Sequence, residues 1–149
     1  MSDLPLAEIT LRKYENPYNL GKRELVKKVC LSFGLLQPGD SRDVIVDIFL
    51  VLLEARNKKE AIDTETIRQR VISSRKAASC EEKGIAESNI RRQLRRLKDM
   101  MLVESKGNNY QITEFESLEK LFDEKIENFY LPSIVARVKE YLKAVENIK

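Results

Sequence analysis

The chain contains no histidine among its 149 residues. Histidine is the usual general base near neutral pH and the usual partner of a serine or cysteine nucleophile. The glycine-rich phosphate loops GxGxxG and GxxxxGK followed by Ser or Thr are also missing. We therefore expect neither catalysis nor a bound cofactor.

Cysteine is scarce, and long apolar runs are lacking. The two cysteines, Cys30 and Cys80, cannot supply the roughly four nitrogen or sulfur ligands of a structural zinc site. The longest apolar run, Val44–Leu53, includes an aspartate and is shorter than the roughly 20 residues that cross a bilayer. Residues 1–17 are interrupted by charges and lack the apolar core of a secretion signal. These features predict a cytoplasmic protein with free thiols, no metal and no membrane segment.

Glycine and proline are few, at five and four residues, whereas apolar residues make up 42% of the chain and charged residues 34%. This composition predicts a folded, helix-rich protein. The length suits one domain, or one small domain with helical extensions.

The net charge of +3 is unevenly distributed along the chain. Residues 66–113 hold 11 lysines and arginines against 5 acidic residues, whereas residues 1–65 hold 10 against 11 and residues 114–149 hold 6 against 8. A basic segment between nearly neutral flanks is typical of a nucleic-acid surface. The alternative is that these basic side chains only solvate exposed helix faces.

Two helices are predicted before the basic segment. Lys22–Leu36 has an amphipathic pattern, and the turn sequence QPGD ends it. A second helix runs to about Arg56, and we expect Asp40 or Ser41 to cap it because a short side-chain oxygen can accept from the free amides of a first turn. This helix is apolar on nearly all sides, which places it in the middle of the domain.

A minimal strand and a third helix follow. The strand is predicted at residues 61–62, and Asp63 or Thr64 is expected to cap the helix TETIRQRVISS. After Arg75 the pattern dissolves into KAASCEEKG, which is typical of a loop or a frayed helix end.

The arginine-rich segment predicts a helix over Ser88–Met100. One face is apolar, because its members are spaced 4, 3 and 4 residues apart: Ile90, Leu94, Leu97 and Met101. The opposite face holds Arg92, Arg95 and Arg96, with Arg91 on the flank. Like charges one turn apart repel by about a few tenths of a kcal/mol per pair, so an anionic partner would relieve this face.

Strand-forming residues on both sides of KGNN predict a β-hairpin over Leu102–Thr113. Gly107 and the asparagines are expected to supply positive φ in its turn, and the tip holds Lys106, Asn108 and Asn109.

Two amphipathic helices are predicted after the hairpin. Thr113 and Glu116 match a capping box for the first, and Pro132 is expected to interrupt it. The second, SIVARVKEYLKAVENI, has an apolar face that packs either on the helices of residues 25–53 or on a second copy of the chain. We favour the second copy, which predicts a homodimer.

The order helix, brief strand, helix, arginine-rich helix, hairpin resembles the winged helix-turn-helix DNA-binding family. The resemblance covers about Asp43–Thr113, and SNIRRQLRRLKDMMLVESKGNNYQIT is similar to the recognition helix and wing. It implies a mainly α fold with a small β-hairpin wing. It divides the chain into an N-terminal helical extension (1–40), a winged-helix domain (41–113) and a C-terminal helical pair able to dimerise (114–149). Two features depart from the family: Met101 stands where a glycine is common, and the link between the second and third helices is long.

The resemblance implies that the arginine-rich helix lies in a DNA major groove and that the hairpin tip meets backbone or minor groove. Arginine can contact guanine bidentately, arginine and lysine displace counterions from phosphates, and a helix amino terminus suits a phosphate. The implied contacts are Ser88, Asn89, Arg91, Arg92, Arg95, Arg96, Lys106, Asn108 and Asn109, with Arg68, Arg70, Arg75 and Lys76 as backbone clamps. The alternative for the clamps is solvated helix faces with local ion pairs to Glu81, Glu82 or Glu87.

We therefore expect a duplex-DNA-binding protein, most simply a transcriptional regulator. The alternative is a winged-helix module for protein–protein contacts in a larger complex. RNA is a third candidate, although no aromatic residues interleave the basic cluster to stack on bases. DNA binding requires the arginine face to be exposed and continuous with the hairpin, whereas an interaction module should have that face covered.

Overall fold

The structure, a computed structural model, describes residues 3–149, which divide into two compact units. The larger unit is Thr10–Glu116, and the smaller combines residues 3–9 with Ser117–Lys149. The larger unit unites segments that the sequence analysis separated at residue 40. The protein is mainly helical with a β-hairpin, as the sequence predicted, and a further short strand joins the hairpin in a small three-stranded antiparallel sheet.

The larger unit is built around one central helix. Its elements are α1 (Lys22–Ser32), α2 (Val44–Asn57), β1 (Ile62–Asp63), α3 (Thr64–Ala77), α4 (Glu87–Asp99), β2 (Val103–Lys106) and β3 (Asn109–Ile112). Helix α2 contacts α1, α3, α4 and β3. Ten of its 14 residues are buried, so the prediction of a central helix is confirmed. The side chains that fill the core around it include Ile48, Phe49, Leu52, Ile67, Val71, Ile90, Leu94 and Leu97.

Strand β3 lies in the middle of the sheet, between β1 and β2, and both pairs are antiparallel. Lys106 pairs with Asn109, so the predicted hairpin has a two-residue turn. Gly107 is the first residue of this turn and has a φ of 62°. Glycine with positive φ at this position is typical of a type II′ turn. The asparagines do not share the positive φ that the sequence analysis expected of them.

Helix α1 ends at Ser32, four residues before the predicted end at Leu36. Gly34 has a φ of 70°, and the amides of the two following leucines donate to the Cys30 carbonyl at 2.9 and 3.2 Å. A Cβ at Gly34 would lie 2.8 Å from the Cβ of Thr10. The chain therefore turns here because only glycine fits this backbone conformation beside Thr10.

The predicted cap of α2 is wrong, whereas that of α3 is confirmed. The residue before α2 is Asp43 rather than Asp40 or Ser41, and its side chain makes no cap hydrogen bond. At the start of α3, the Asp63 carboxylate accepts from the amide of Thr66 at 2.8 Å. Hydrogen bonds from the side chain and the amide of Thr66 hold the pKa of Asp63 below its usual value.

Met101 lies beyond the end of α4, so its predicted place on the apolar face of that helix is wrong. Its φ is 64°, and its amide donates to the Lys98 carbonyl at 2.8 Å. A methionine thus adopts the left-handed conformation that usually favours glycine at a helix end. The next residue, Leu102, is buried and continues the core.

The predicted capping box at Thr113 and Glu116 is wrong. The Thr113 hydroxyl donates to the Met101 carbonyl at 2.9 Å, within a short turn of 3-10 helix, Thr113–Phe115. The helix that follows is capped by Ser117, whose hydroxyl accepts from the amide of Lys120 at 3.2 Å.

The smaller unit contains one continuous run of helix: α5 (Leu118–Leu121), a π-helical stretch (Phe122–Tyr130) and α6 (Leu131–Glu146). Pro132 lies in the first turn of α6, and the predicted interruption is wrong. Proline lacks the amide that an α-helix would use, and a helix can absorb such a loss where its hydrogen bonds widen to the π pattern. The Tyr130 hydroxyl joins this helix to the amino-terminal segment, because it accepts from the Glu8 amide and donates to the Glu8 carbonyl, both at 3.1 Å.

The predicted apolar face of α6 is exposed, because none of the residues of this helix is buried. Its large apolar side chains retain between about two fifths and three quarters of their accessible surface: Val135 42%, Val138 52%, Tyr141 69%, Leu142 60% and Val145 61%.

Candidate nucleic-acid interface

Helix α4 is anchored by one apolar side and exposes the other. Ile90, Leu94 and Leu97 are fully buried, and α4 contacts both α2 and α3. The opposite side is exposed, as predicted, and holds Ser88, Arg92 and Arg95, and Arg91 on its flank is exposed as well.

The three exposed arginines differ in their local partners. Arg91 forms an ion pair with Glu87 at 2.7 Å, and the hydrogen bond and charge of Glu87 raise the pKa of Arg91. Arg92 donates to the side-chain oxygen of Asn89 at 2.9 Å. Arg95 makes neither a hydrogen bond nor an ion pair with any residue from 3 to 149. Arg95 is therefore the most readily available cation on α4.

Arg96 is half-buried, so the expected outward projection is wrong for this arginine. It donates to the side-chain oxygen of Gln93 at 2.8 Å and reaches the Gly34 carbonyl at 3.5 Å. Burial raises the pKa of Cys30 to about 12, and the charge of Arg96 opposes this rise. Arg96 therefore faces α1 and its following turn.

The loop between α3 and α4 is held through its backbone carbonyls. Arg68 donates to the Ile85 carbonyl at 2.8 Å, and Arg75 donates to the Glu81 carbonyl at 2.5 Å. From α4, the Asn89 side chain donates to the Gly84 carbonyl at 2.7 Å. Three side chains that the sequence assigned to DNA thus position the segment that leads into α4.

Arg75 is only 4% exposed, so its predicted surface position is wrong. Its guanidinium forms ion pairs with Asp43 at 3.0 Å and with Asp47 at 2.6 Å. Arg23 binds the same two carboxylates, and the Ser74 hydroxyl donates to Asp47 at 3.0 Å. Burial lowers the pKa of Arg75, but hydrogen bonds to the two aspartates outweigh it and raise the pKa overall. A buried charge requires such partners, and Arg75 has found them inside the domain.

Two other predicted clamps lie at the surface of α3 with local acidic partners. Lys76 is 3.8 Å from Glu82, and Arg70 is 2.8 Å from Glu60. Arg68 is half-buried and lies 3.7 Å from Glu65. These contacts agree with the alternative prediction, in which the clamp residues form local ion pairs. Of the acidic partners predicted there, only Glu82 is found in such a pair among residues 3–149.

The β2–β3 hairpin lies beside α4. The Lys98 ammonium, near the end of α4, donates to the Ser105 hydroxyl of β2 at 3.0 Å. Helix α4 also contacts strand β2. The tip residues Lys106, Asn108 and Asn109 are exposed. The structure therefore brings the exposed side of α4 and the hairpin together, as DNA binding requires.

Two basic residues at the amino end of α4 were not predicted from the sequence. A cleft of about 570 Å³ lies there and is lined by Arg42, Lys83, Asn89 and Arg92. Acidic Glu81 and buried Arg75 also line it. Arg42 and Lys83 are 41 positions apart and belong to no common helix or strand, so no local pattern relates them. The cleft is large enough for a phosphate group, and three exposed basic side chains line it: Arg42, Lys83 and Arg92.

No known protein family, curated protein or solved structure matches this chain. Among residues 3–149, no group of histidine, cysteine and acidic side chains is arranged to hold a metal ion. In the same part of the chain, every helix is too short or too polar to cross a bilayer.

Proposed function

We propose that this protein binds duplex DNA through α4 and the β2–β3 hairpin, as a transcriptional regulator of the winged helix-turn-helix type. The observation that carries the proposal is the exposed arginine side of α4 beside an exposed hairpin tip. The element order and the sheet order β1-β3-β2 are compatible with this fold type.

The exposed side of α4 supplies the groups that such a contact needs. An α-helix fits the major groove of B-DNA, where arginine can donate two hydrogen bonds to guanine and also pair with phosphates. Arg95 has no hydrogen bond or ion pair to break within residues 3–149, and Arg92 gives up one hydrogen bond to Asn89. Arg91 is a weaker contributor, because binding DNA would cost it the pair with Glu87.

The cleft at the amino end of α4 gives the proposal a second anchor. Arg42 and Lys83 line it together with Arg92, and the first amides of α4 lie at the same end of the helix. Helix amino termini favour anions because their amides are unpaired and their dipole is positive. A backbone phosphate in this cleft would fix α4 in the groove, while Lys106 meets the backbone at the hairpin tip.

A salt titration tests the proposal. We would measure fluorescence anisotropy of a labelled mixed-sequence duplex at several salt concentrations, with the intact chain and with the double variant Arg92→Ala, Arg95→Ala. Each lost phosphate contact lowers the slope of log affinity against log salt by about 0.9, so the double variant should lose about two from that slope for each copy of the chain that the duplex binds. The matched control is Lys13→Ala, Lys58→Ala, which removes the same charge from exposed positions outside α4 and the hairpin.

The control should change the slope by much less than the α4 variant. Equal losses in both variants would mean that only net charge matters, which would contradict a specific α4 interface. No binding by folded protein at low salt would exclude DNA and favour the protein-interaction module.

A further inference from the structure

The exposed apolar side of α6 has no part in the proposed DNA contact. The helix has 16 residues and is about 24 Å long at roughly 1.5 Å per residue. Five large apolar side chains on it keep 42% to 69% of their accessible surface, and Ile148 just beyond it keeps 74%. Contiguous exposed apolar patches of this kind mark interaction sites.

The spacing of these residues identifies the kind of partner. Ile134, Val138, Tyr141, Val145 and Ile148 are separated by 4, 3, 4 and 3 positions. This is the 3.5-residue repeat by which one α-helix packs along another. Val135 and Leu142 broaden the same stripe, and none of the seven residues is charged. The partner is therefore a helix with a matching apolar repeat.

We propose that two copies of this chain associate through α6 as an antiparallel helix pair. The helices cross at the level of Lys143, with Val138 against Ile148 of the second copy and Tyr141 against Val145 of the second copy. A two-fold axis repeats each contact, so the part of the stripe from Val138 to Ile148 covers the same part of the second copy.

Charge complementarity carries the choice of a second copy and of its direction. At 100° per residue, Lys139 and Glu146 lie on the same flank of the stripe, seven positions apart, and both are exposed. In the antiparallel register Lys139 lies at the level of Asn147 of the second copy, one residue from Glu146, so the Lys139 and Glu146 side chains can pair, and the two-fold axis makes this pair twice. A parallel arrangement would bring opposite flanks together and set Lys139 beside Arg137 of the second copy. The charges therefore favour antiparallel pairing.

Sedimentation of the intact chain over a range of concentrations tests the pairing without DNA, so its result is independent of the proposed function. The wild-type chain should be a dimer, and Val138→Asp should be a monomer at the same concentrations. Because Val138 is half-exposed, this variant should keep the circular dichroism of the folded protein. Lys143→Gln, on the side of α6 opposite the stripe, changes the net charge by the same −1 as Val138→Asp; it is the matched charge control and should stay dimeric.

A charge exchange tests the direction. Lys139→Glu alone and Glu146→Lys alone should each raise the dimer dissociation constant by about tenfold, because each creates two like-charge contacts. The double variant should return to the wild-type value. A monomeric wild-type chain, a dimer that survives Val138→Asp, or a double variant no better than the single ones would each overturn the proposal.

Discussion

At the scale of single residues, arginines with the same chemistry have opposite roles in this molecule. Arg92 and Arg95 face solvent from α4, whereas Arg75 is buried on α3 against Asp43 and Asp47. The sequence could not separate them, because the carboxylates that bind Arg75 lie 28 and 32 positions away. Only tertiary structure brings these charges together.

Removal of the buried guanidinium should be costly. Arg75→Ala leaves Asp47, which is fully buried, with fewer compensating charges. Breaking a buried ion pair from one side typically costs about 3–5 kcal/mol, so the free energy of unfolding in urea should fall by about that amount. Lys76→Ala on the same helix is the control, because Lys76 is 65% exposed and lies 3.8 Å from Glu82, and such a surface pair should contribute less than about 1 kcal/mol. Similar losses for the two variants would contradict the structural role of Arg75.

At the scale of secondary structure, periodicity was sufficient to predict α2, α3, α4 and the hairpin. Each of these elements buries one side or nearly all of its surface, and most of the buried positions across them are apolar residues of their own sequences. The ends of the helices were harder to predict from the sequence, because contacts with other parts of the chain determine them. Thr10 beside Gly34 fixes the end of α1, and π-helical turns before Pro132 keep the last helix continuous. The pairing of β1 with β3 was also beyond prediction, since two residues have too little pattern to name a partner strand.

The hairpin turn offers a test of backbone conformation. Gly107→Ala should lower the free energy of unfolding by about 1–2 kcal/mol, because an alanine at a φ of 62° is strained even though no atom lies within 4 Å of its Cβ. Asn108→Ala, the other turn residue, should change it by less than about 0.5 kcal/mol. Urea denaturation followed by circular dichroism would measure both. If the two variants were equally stable, strain at Gly107 would not shape this turn.

At the scale of the whole molecule, the proposed activities belong to different units. The exposed arginines and the hairpin lie in Thr10–Glu116, whereas the apolar stripe of α6 lies in the smaller unit. The distribution of charge along the sequence was sufficient to predict the candidate DNA surface. The proposed direction in which α6 pairs with a second copy depends on the structure, which shows that none of the residues of α6 is buried.

A chain of residues 10–116 should therefore fold and bind DNA by itself. It contains α2 and the helices and strand that contact it, and cooperative unfolding in urea would establish that it folds. In the anisotropy assay, its slope of log affinity against log salt should be about half that of the full chain, because one recognition surface replaces two. If the fragment were unfolded, or if its slope of log affinity against log salt equalled that of the full chain, the assignment of DNA binding and pairing to different units would be contradicted.

The two α3 arginines that hold the loop before α4 bind it through main-chain oxygens. Every amino acid has the same backbone carbonyl, so these two hydrogen bonds depend little on which side chains the loop carries. In a library of all single substitutions, positions 81 and 85 should accept many residues, whereas positions 68 and 75 should accept few. The loop before α4 should thus tolerate many substitutions, because two arginines on α3, which tolerate few, hold its backbone in place.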